Sequence, residues 1–192
     1  MNLPNKLSML RIFLIPFLIF FYLEPFFPYG KIIAIAIFII AAFTDMLDGK
    51  IARKYNLVTN LGKLLDPIAD KLLVVSGLLL VVIDQTIPHP YGVIIAIIII
   101  GRELLISAFR QIAASQNIVM AADGFGKLKT LTQDIAIPFL FLISFLGNDI
   151  VINSTALLVL QIIGYCLICF ATLFTILSGV NYIINNKNVL KG

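Results

Sequence analysis

The sequence predicts an all-α integral membrane protein: one domain over residues 1–192, folded as a bundle of six transmembrane helices with both termini cytoplasmic. Three observations lead there. The chain is 60% hydrophobic and 12% charged, with a mean hydropathy of +1.05, whereas soluble domains are roughly half apolar and a quarter charged. Apolar runs of about 20 residues, the length that crosses a hydrocarbon layer as a helix, recur along the whole chain. Positive charge gathers at alternate ends of these runs, the asymmetry that marks the cytoplasmic side.

The spans are predicted at 7–27, 31–54, 65–84, 91–113, 128–147 and 154–185. Before the first, Lys6 and Arg11 precede an apolar run in the manner of a signal peptide. Glu24-Pro25-Phe26-Phe27-Pro28 stands where a small-residue cleavage site would follow, so the segment reads as a retained span. At the third, Asp66-Pro67 also suits an N-cap followed by a first-turn proline. The fourth follows Pro88-His89-Pro90, where a lone histidine without partner ligands reads as a solvated turn. Gly124-Phe125-Gly126-Lys127, before the fifth, lacks the spacing and preceding strand of a P-loop. Between Asp149 and Lys187 no residue is charged, room for one long tilted helix or two short ones.

Loop charge decides that last count. Lys6, Arg11, Lys50, Arg53, Lys54, Lys63, Lys127, Lys129, Lys187 and Lys191 fall at one set of ends; Glu24, Lys31, Asp84, His89 and Asp149 fall at the other. Six spans keep Lys187 and Lys191 with the positive set; seven would strand them opposite. The net charge of +4 thus reports a cytoplasmic face that meets anionic headgroups, not a nucleic-acid surface. Cys166 and Cys169, inside an apolar run with no further ligand, read as buried structural thiols.

One stretch breaks the apolar pattern. Residues 44–71, TDMLDGKIARKYNLVTNLGKLLDPIADK, hold four aspartates and five basic residues. Asp45 and Asp48 are three apart on the second helix, and Asp66 and Asp70 four apart on the third, so each pair shares a helix face. Asp45 lies about 21 Å from Lys31 along its helix, still within a hydrocarbon layer roughly 30 Å thick. Ionisable groups at that depth mark function by default. Facing carboxylates repel, and hard divalent cations with oxygen ligands, Mg²⁺ or Mn²⁺, relieve the repulsion. Two such ions clamp a diphosphate. Gly49, Ala52 and Gly62 leave room for a flat ligand, and Arg53, just over two turns past Asp45, can reach a phosphate. Taken one at a time, the glycines also suit close helix packing and the basic residues suit interfacial anchoring.

These residues carry a resemblance. Asp45, Asp48-Gly49, Ala52-Arg53, Gly62, Asp66 and Asp70 match the D-x2-D-G-x2-A-R-x8-G-x3-D-x3-D signature of the CDP-alcohol phosphotransferase family, without gap or substitution. The resemblance implies six transmembrane helices, two divalent metals and a homodimer. It implies that Asp45, Asp48, Asp66 and Asp70 bind the metals, that Asp70 is also the base, and that Gly49, Ala52, Arg53 and Gly62 hold the CDP moiety. The opening LPNKLSMLRIFLIPF, with Asn5, Arg11 and Pro16, resembles the bacterial branch that makes phosphatidylglycerophosphate; Ser8 stands where threonine is common there. NLVTNLGKLLDPIADKLL, GRELLISAFR and GFGKLKT are similar to the same branch. Asn5 is accordingly expected beside the CDP.

On the fourth helix Glu103, Ser107 and Arg110 form one polar stripe, as Lys127, Thr130 and Asp134 do on the fifth. A cavity lined by Arg110, Lys127, Lys129 and Arg102 would attract a dianionic phosphate; the same residues also suit headgroup anchors, and Arg102 suits a pair with Glu103. The expected reaction joins CDP-diacylglycerol to sn-glycerol 3-phosphate, in the plasma membrane, with the site facing the cytoplasm. Other acceptors, inositol phosphate or phosphatidylglycerol, remain open. So does a cation transporter, against which stands the near absence of polar residues in the outer helix halves. A membrane scaffold without activity is a further alternative.

Overall fold

The computed structural model describes the backbone of residues 3–54, 60–115, 124–150 and 152–186; side chains are described for these except at 3–4, 46–54, 60–61, 63–64 and 114–115. All regular structure in the described residues is helical. Six helices follow in order: α1 Leu3–Leu23, α2 Gly30–Lys54, α3 Asn60–Ile83, α4 Tyr91–Ser115, α5 Gly124–Asn148 and α6 Ser154–Asn185. Each predicted span has its helix. Four of them, over Asn5–Leu23, Tyr91–Ala113, Gly124–Asn148 and Ser154–Asn185, are long and apolar enough along their described residues to cross a membrane.

The boundaries have local causes. α1 stops at Leu23, four residues before the predicted end, because Pro25 and Pro28 lack the donors a further turn needs. α3 closes into a turn at Gln85, which takes a positive φ of 53°. α6 opens on Asn153, whose side chain accepts from the Thr155 backbone N–H at 2.9 Å. It then runs unbroken for 32 residues, about 48 Å, so the long charge-free segment is one helix. α3 begins at Asn60, five residues before the predicted start. Asp66 therefore sits in its second turn and is not an N-cap. Gly124-Phe125-Gly126-Lys127 lies in the first turn of α5 and is no phosphate loop.

α1 lies against α2 and α3; α5 packs on α2, α3 and α6; α4 closes the bundle between α3 and α6. The core is apolar and shared, with Leu18, Phe38, Leu78, Ile99, Ile137, Leu140, Phe141 and Ile168 at its centre. Small residues let the helices approach. A Cβ on Gly77 would come 2.7 Å from Ile137 Cγ2 and 3.0 Å from Phe38 Cε2, and one on Gly164 would collide with Ile143. The outward faces expose large apolar side chains such as Phe13, Ile40, Ile97, Leu158 and Phe170, the surface a lipid environment takes up. The chain is membrane-associated.

Two expectations are corrected. Cys166 and Cys169 are exposed, not buried. The buried stripe of α6 runs through Gly164, Ile168, Ala171, Thr175 and Ser178, and both thiols fall outside it. The bundle end away from the aspartates is also not bare of polar groups. Lys31 on α2 donates to Ser144 on α5 at 2.7 Å and pairs with Asp84 at 3.4 Å and Asp149 at 3.5 Å. Tyr22 of α1 donates to Asp84 at 3.1 Å, as does Ser144, and Tyr165 of α6 donates to the Thr86 carbonyl at 3.0 Å. A lysine at the centre of that knot opposes passage of a cation. His89 is exposed, as expected.

Candidate active site

Both ends of the stretch 44–71 sit at the bundle end where α1 begins, α2 ends and α3 begins. α1 meets them with a face of Asn5, Ser8 and Arg11, spaced by three and buried at 4%, 0% and 0% exposure. Arg11 Nη1 donates to Asp45 Oδ1 at 2.6 Å, and Ser8 Oγ donates to Asp66 Oδ1. One helix thus ties down an aspartate from each of its two neighbours. Arg11, expected among the positive charges at helix ends, lies inside the bundle. Its ion pair with the half-exposed Asp45 carboxylate is what keeps a guanidinium there.

Asp70, one turn beyond Asp66, is half-buried and within electrostatic reach of Asp45, Arg11, Lys129 and Glu103. Asp134, half-buried on α5, feels Asp70, Asp45, Lys129 and Arg11. Sequence reading placed Asp134 on a polar stripe without giving it to the site; its spacing of four from Thr130 was the available signal. Gly62 is buried at the same end. Asp48, Gly49, Ala52 and Arg53 lie on the α2 backbone, and their side chains are outside the described residues.

Among the described residues no three His, Cys, Asp or Glu side chains group closely enough to hold a metal ion. The donor chemistry nonetheless fits a hard divalent cation. Asp45, Asp66 and Asp70 offer only carboxylate oxygens, from two helices, and Ser8 orients one of them as an outer-shell partner would.

The cations expected to meet an acceptor phosphate divide into two groups. Lys129 is buried, at 6% exposure, and donates to Glu103 Oε1, so it is not a headgroup anchor. Arg102 Nη1 approaches the same oxygen at 3.5 Å while its Nη2 donates to Ser178 Oγ of α6 at 2.5 Å. A Cβ on Gly179 would lie 3.1 Å from Arg102 Cγ, so the glycine admits the arginine stem. Arg110 and Lys127 are exposed; Arg110 stacks over Tyr182 at 5.3 Å and donates to its hydroxyl at 3.0 Å. Lys71, next to Asp70, donates to Ser107, which in turn donates to the Glu103 carbonyl at 2.7 Å. Glu103, expected from the sequence on the α4 polar stripe and as a partner for Arg102, also joins α4 to α5.

A bundle of apolar helices with aspartates held at one end is what the family signature requires, and residues 1–177 match the CDP-alcohol phosphatidyltransferase family. The chain belongs to this family of enzymes. Among its relatives, a CDP-diacylglycerol–glycerol-3-phosphate 3-phosphatidyltransferase of Bacillus subtilis is 38% identical, over 99% of this chain and 97% of that protein. Proteins of the same name from Rickettsia bellii and Haemophilus influenzae are 35% and 40% identical, over 94% and 71% of this chain and 93% and 73% of their own lengths.

Proposed function

We propose that the protein transfers the phosphatidyl group of CDP-diacylglycerol to sn-glycerol 3-phosphate, giving phosphatidylglycerophosphate and CMP. The observation that carries this reading is near-full-length similarity to relatives named for that reaction, combined with a bundle end where carboxylates and buried cations adjoin. All six helices cross the membrane, with both termini and the site on the cytoplasmic side. The hydrogen bond from Ser8, in the second turn of α1, to Asp66, in the second turn of α3, supports this alternation, since it sets the starts of two odd-numbered helices side by side. The family resemblance supports a homodimer.

Asp45, Asp48, Asp66 and Asp70 would hold two Mg²⁺ or Mn²⁺ ions, which supply positive charge for the diphosphate and for both attacking and leaving oxygens. Asn5, Gly49, Ala52, Arg53 and Gly62 receive the CDP moiety, while the acyl chains of CDP-diacylglycerol stay in lipid. Arg102, Lys129, Arg110 and Lys127 draw in the acceptor's phosphate. The acceptor hydroxyl attacks the phosphorus that bears diacylglycerol and gives its proton to an Asp70 carboxylate oxygen. The bond from that phosphorus to the CMP oxygen breaks, and CMP leaves.

The test is an assay of purified protein with CDP-diacylglycerol, a panel of acceptors, and Mg²⁺, Mn²⁺ or chelator. CMP release and phosphatidylglycerophosphate are expected with glycerol 3-phosphate and metal only. Asp70→Asn is expected to lose at least about 10²-fold in kcat, the scale of a lost general base. CMP release with another acceptor and none with glycerol 3-phosphate would overturn the assignment.

A further inference from the structure

Glu103 has no part in the reaction above, yet its carboxylate occupies the cations assigned to the acceptor. It sits on α4 at 14% side-chain exposure, with the Lys129 ammonium from α5 and the Arg102 guanidinium both on Oε1. Both cations are fixed from elsewhere. Arg102 is tethered to Ser178 of α6, and Lys129 is enclosed by the bundle. Glu103 itself is built in from below: its carbonyl accepts from Ser107, which accepts in turn from Lys71 beside the proposed base. A carboxylate bridging two cations inside the bundle presents to them what a phosphate would, oxygen acceptors with negative charge, but with one charge in place of two.

We propose that Glu103 is the internal counter-ion of the acceptor-phosphate site, exchanged for the acceptor's dianionic phosphate when it binds. This rests on the reading of Lys129 and Arg102 as phosphate-binding residues. A buried ammonium and a largely enclosed guanidinium left without an anion would carry a desolvation penalty, and Glu103 removes it in the unliganded enzyme. The same arrangement discriminates among acceptors. A neutral alcohol offers nothing to displace a carboxylate from two cations, whereas a dianion outcompetes a monoanion for the same pair. Glu103 is therefore a specificity-determining residue, and it weakens phosphate binding in proportion to its own hold on the cations.

Glu103→Gln keeps size and hydrogen bonding but removes the competing charge. In detergent-solubilised full-length protein, inorganic phosphate should raise the melting temperature of Glu103→Gln more than that of the wild type. The KM for glycerol 3-phosphate should fall about 10-fold, with the KM for CDP-diacylglycerol unchanged. Phosphate shifts of equal size in the two proteins, or a KM for glycerol 3-phosphate that is unchanged or raised, would overturn the exchange. Phosphate that stabilises neither protein would instead remove the acceptor-site reading beneath it. If Glu103→Gln does not fold, Glu103→Asp, one methylene shorter, is expected to show the same changes at smaller size; a Glu103→Asp profile identical to the wild type would count against the proposal.

Discussion

The pair of contacts from α1 shows how single side chains can set a membrane site. Ser8 and Arg11 occupy one buried face, and each holds an aspartate from a different helix. Asp45 neutralises Arg11, whose charge would otherwise be bare inside the bundle. Ser8 fixes which oxygen of Asp66 turns toward α1. Outer-shell hydrogen bonds of this kind typically govern metal affinity by 10–100-fold. Ser8→Ala is accordingly expected to raise the Mn²⁺ concentration for half-maximal thermal stabilisation about 10-fold, and Ser8→Thr to restore it. Titrating Mn²⁺ against melting temperature checks both. Arg11 was hard to place from sequence, because a basic residue five positions after Lys6 looks like another positive charge at the membrane surface. Only the partner at Asp45, 34 positions away, identifies it as internal.

The helices themselves were legible, since prolines, charges and apolar runs punctuate the chain at membrane-sized intervals. Their faces were less so. α6 buries a stripe of small and polar residues, Gly164, Ala171, Thr175 and Ser178, and turns most of its large apolar side chains outward, so apolar surroundings in the sequence did not mean burial for Cys166 and Cys169. The far-end knot of Tyr22, Lys31, Asp84, Ser144 and Asp149 joins Lys31 to Ser144, 113 positions away, and to Asp149 beyond it, which no local pattern reveals. Packing at this scale depends on small residues where α2, α3 and α5 cross. Gly77→Leu would force a side chain into the space held by Ile137 and Phe38. Overpacking of this kind costs about 1–3 kcal/mol, and the variant should melt at lower temperature while the metal titration of the surviving folded protein stays near wild type.

At the scale of the whole molecule, the polar groups separate into two layers with an apolar middle. The layer with the aspartates holds Ser8, Arg11, Asp45, Asp66, Asp70, Glu103 and Lys129; the other is closed by ion pairs around Lys31. In the proposed reaction, a site so placed would keep acyl chains in lipid while the nucleotide and a water-soluble acceptor arrive from one side only. Lys127→Cys should therefore react with an impermeant thiol reagent only when the cytoplasmic face is open to it. His89→Cys should react only from the opposite face. Labelling of both from the same side would break the six-span topology. Both substitutions belong in a background from which Cys166 and Cys169 have been removed.

The central claim is that carboxylates from α2 and α3 gather divalent cations around the diphosphate of a lipid-linked nucleotide. Anomalous diffraction from crystals grown with Mn²⁺ and CDP-diacylglycerol measures it most directly. Peaks are expected between the end of α2 and the start of α3, within about 2.0–2.2 Å of aspartate oxygens and of the diphosphate. Diphosphate density with no anomalous peak there, or peaks only elsewhere in the bundle, would contradict it.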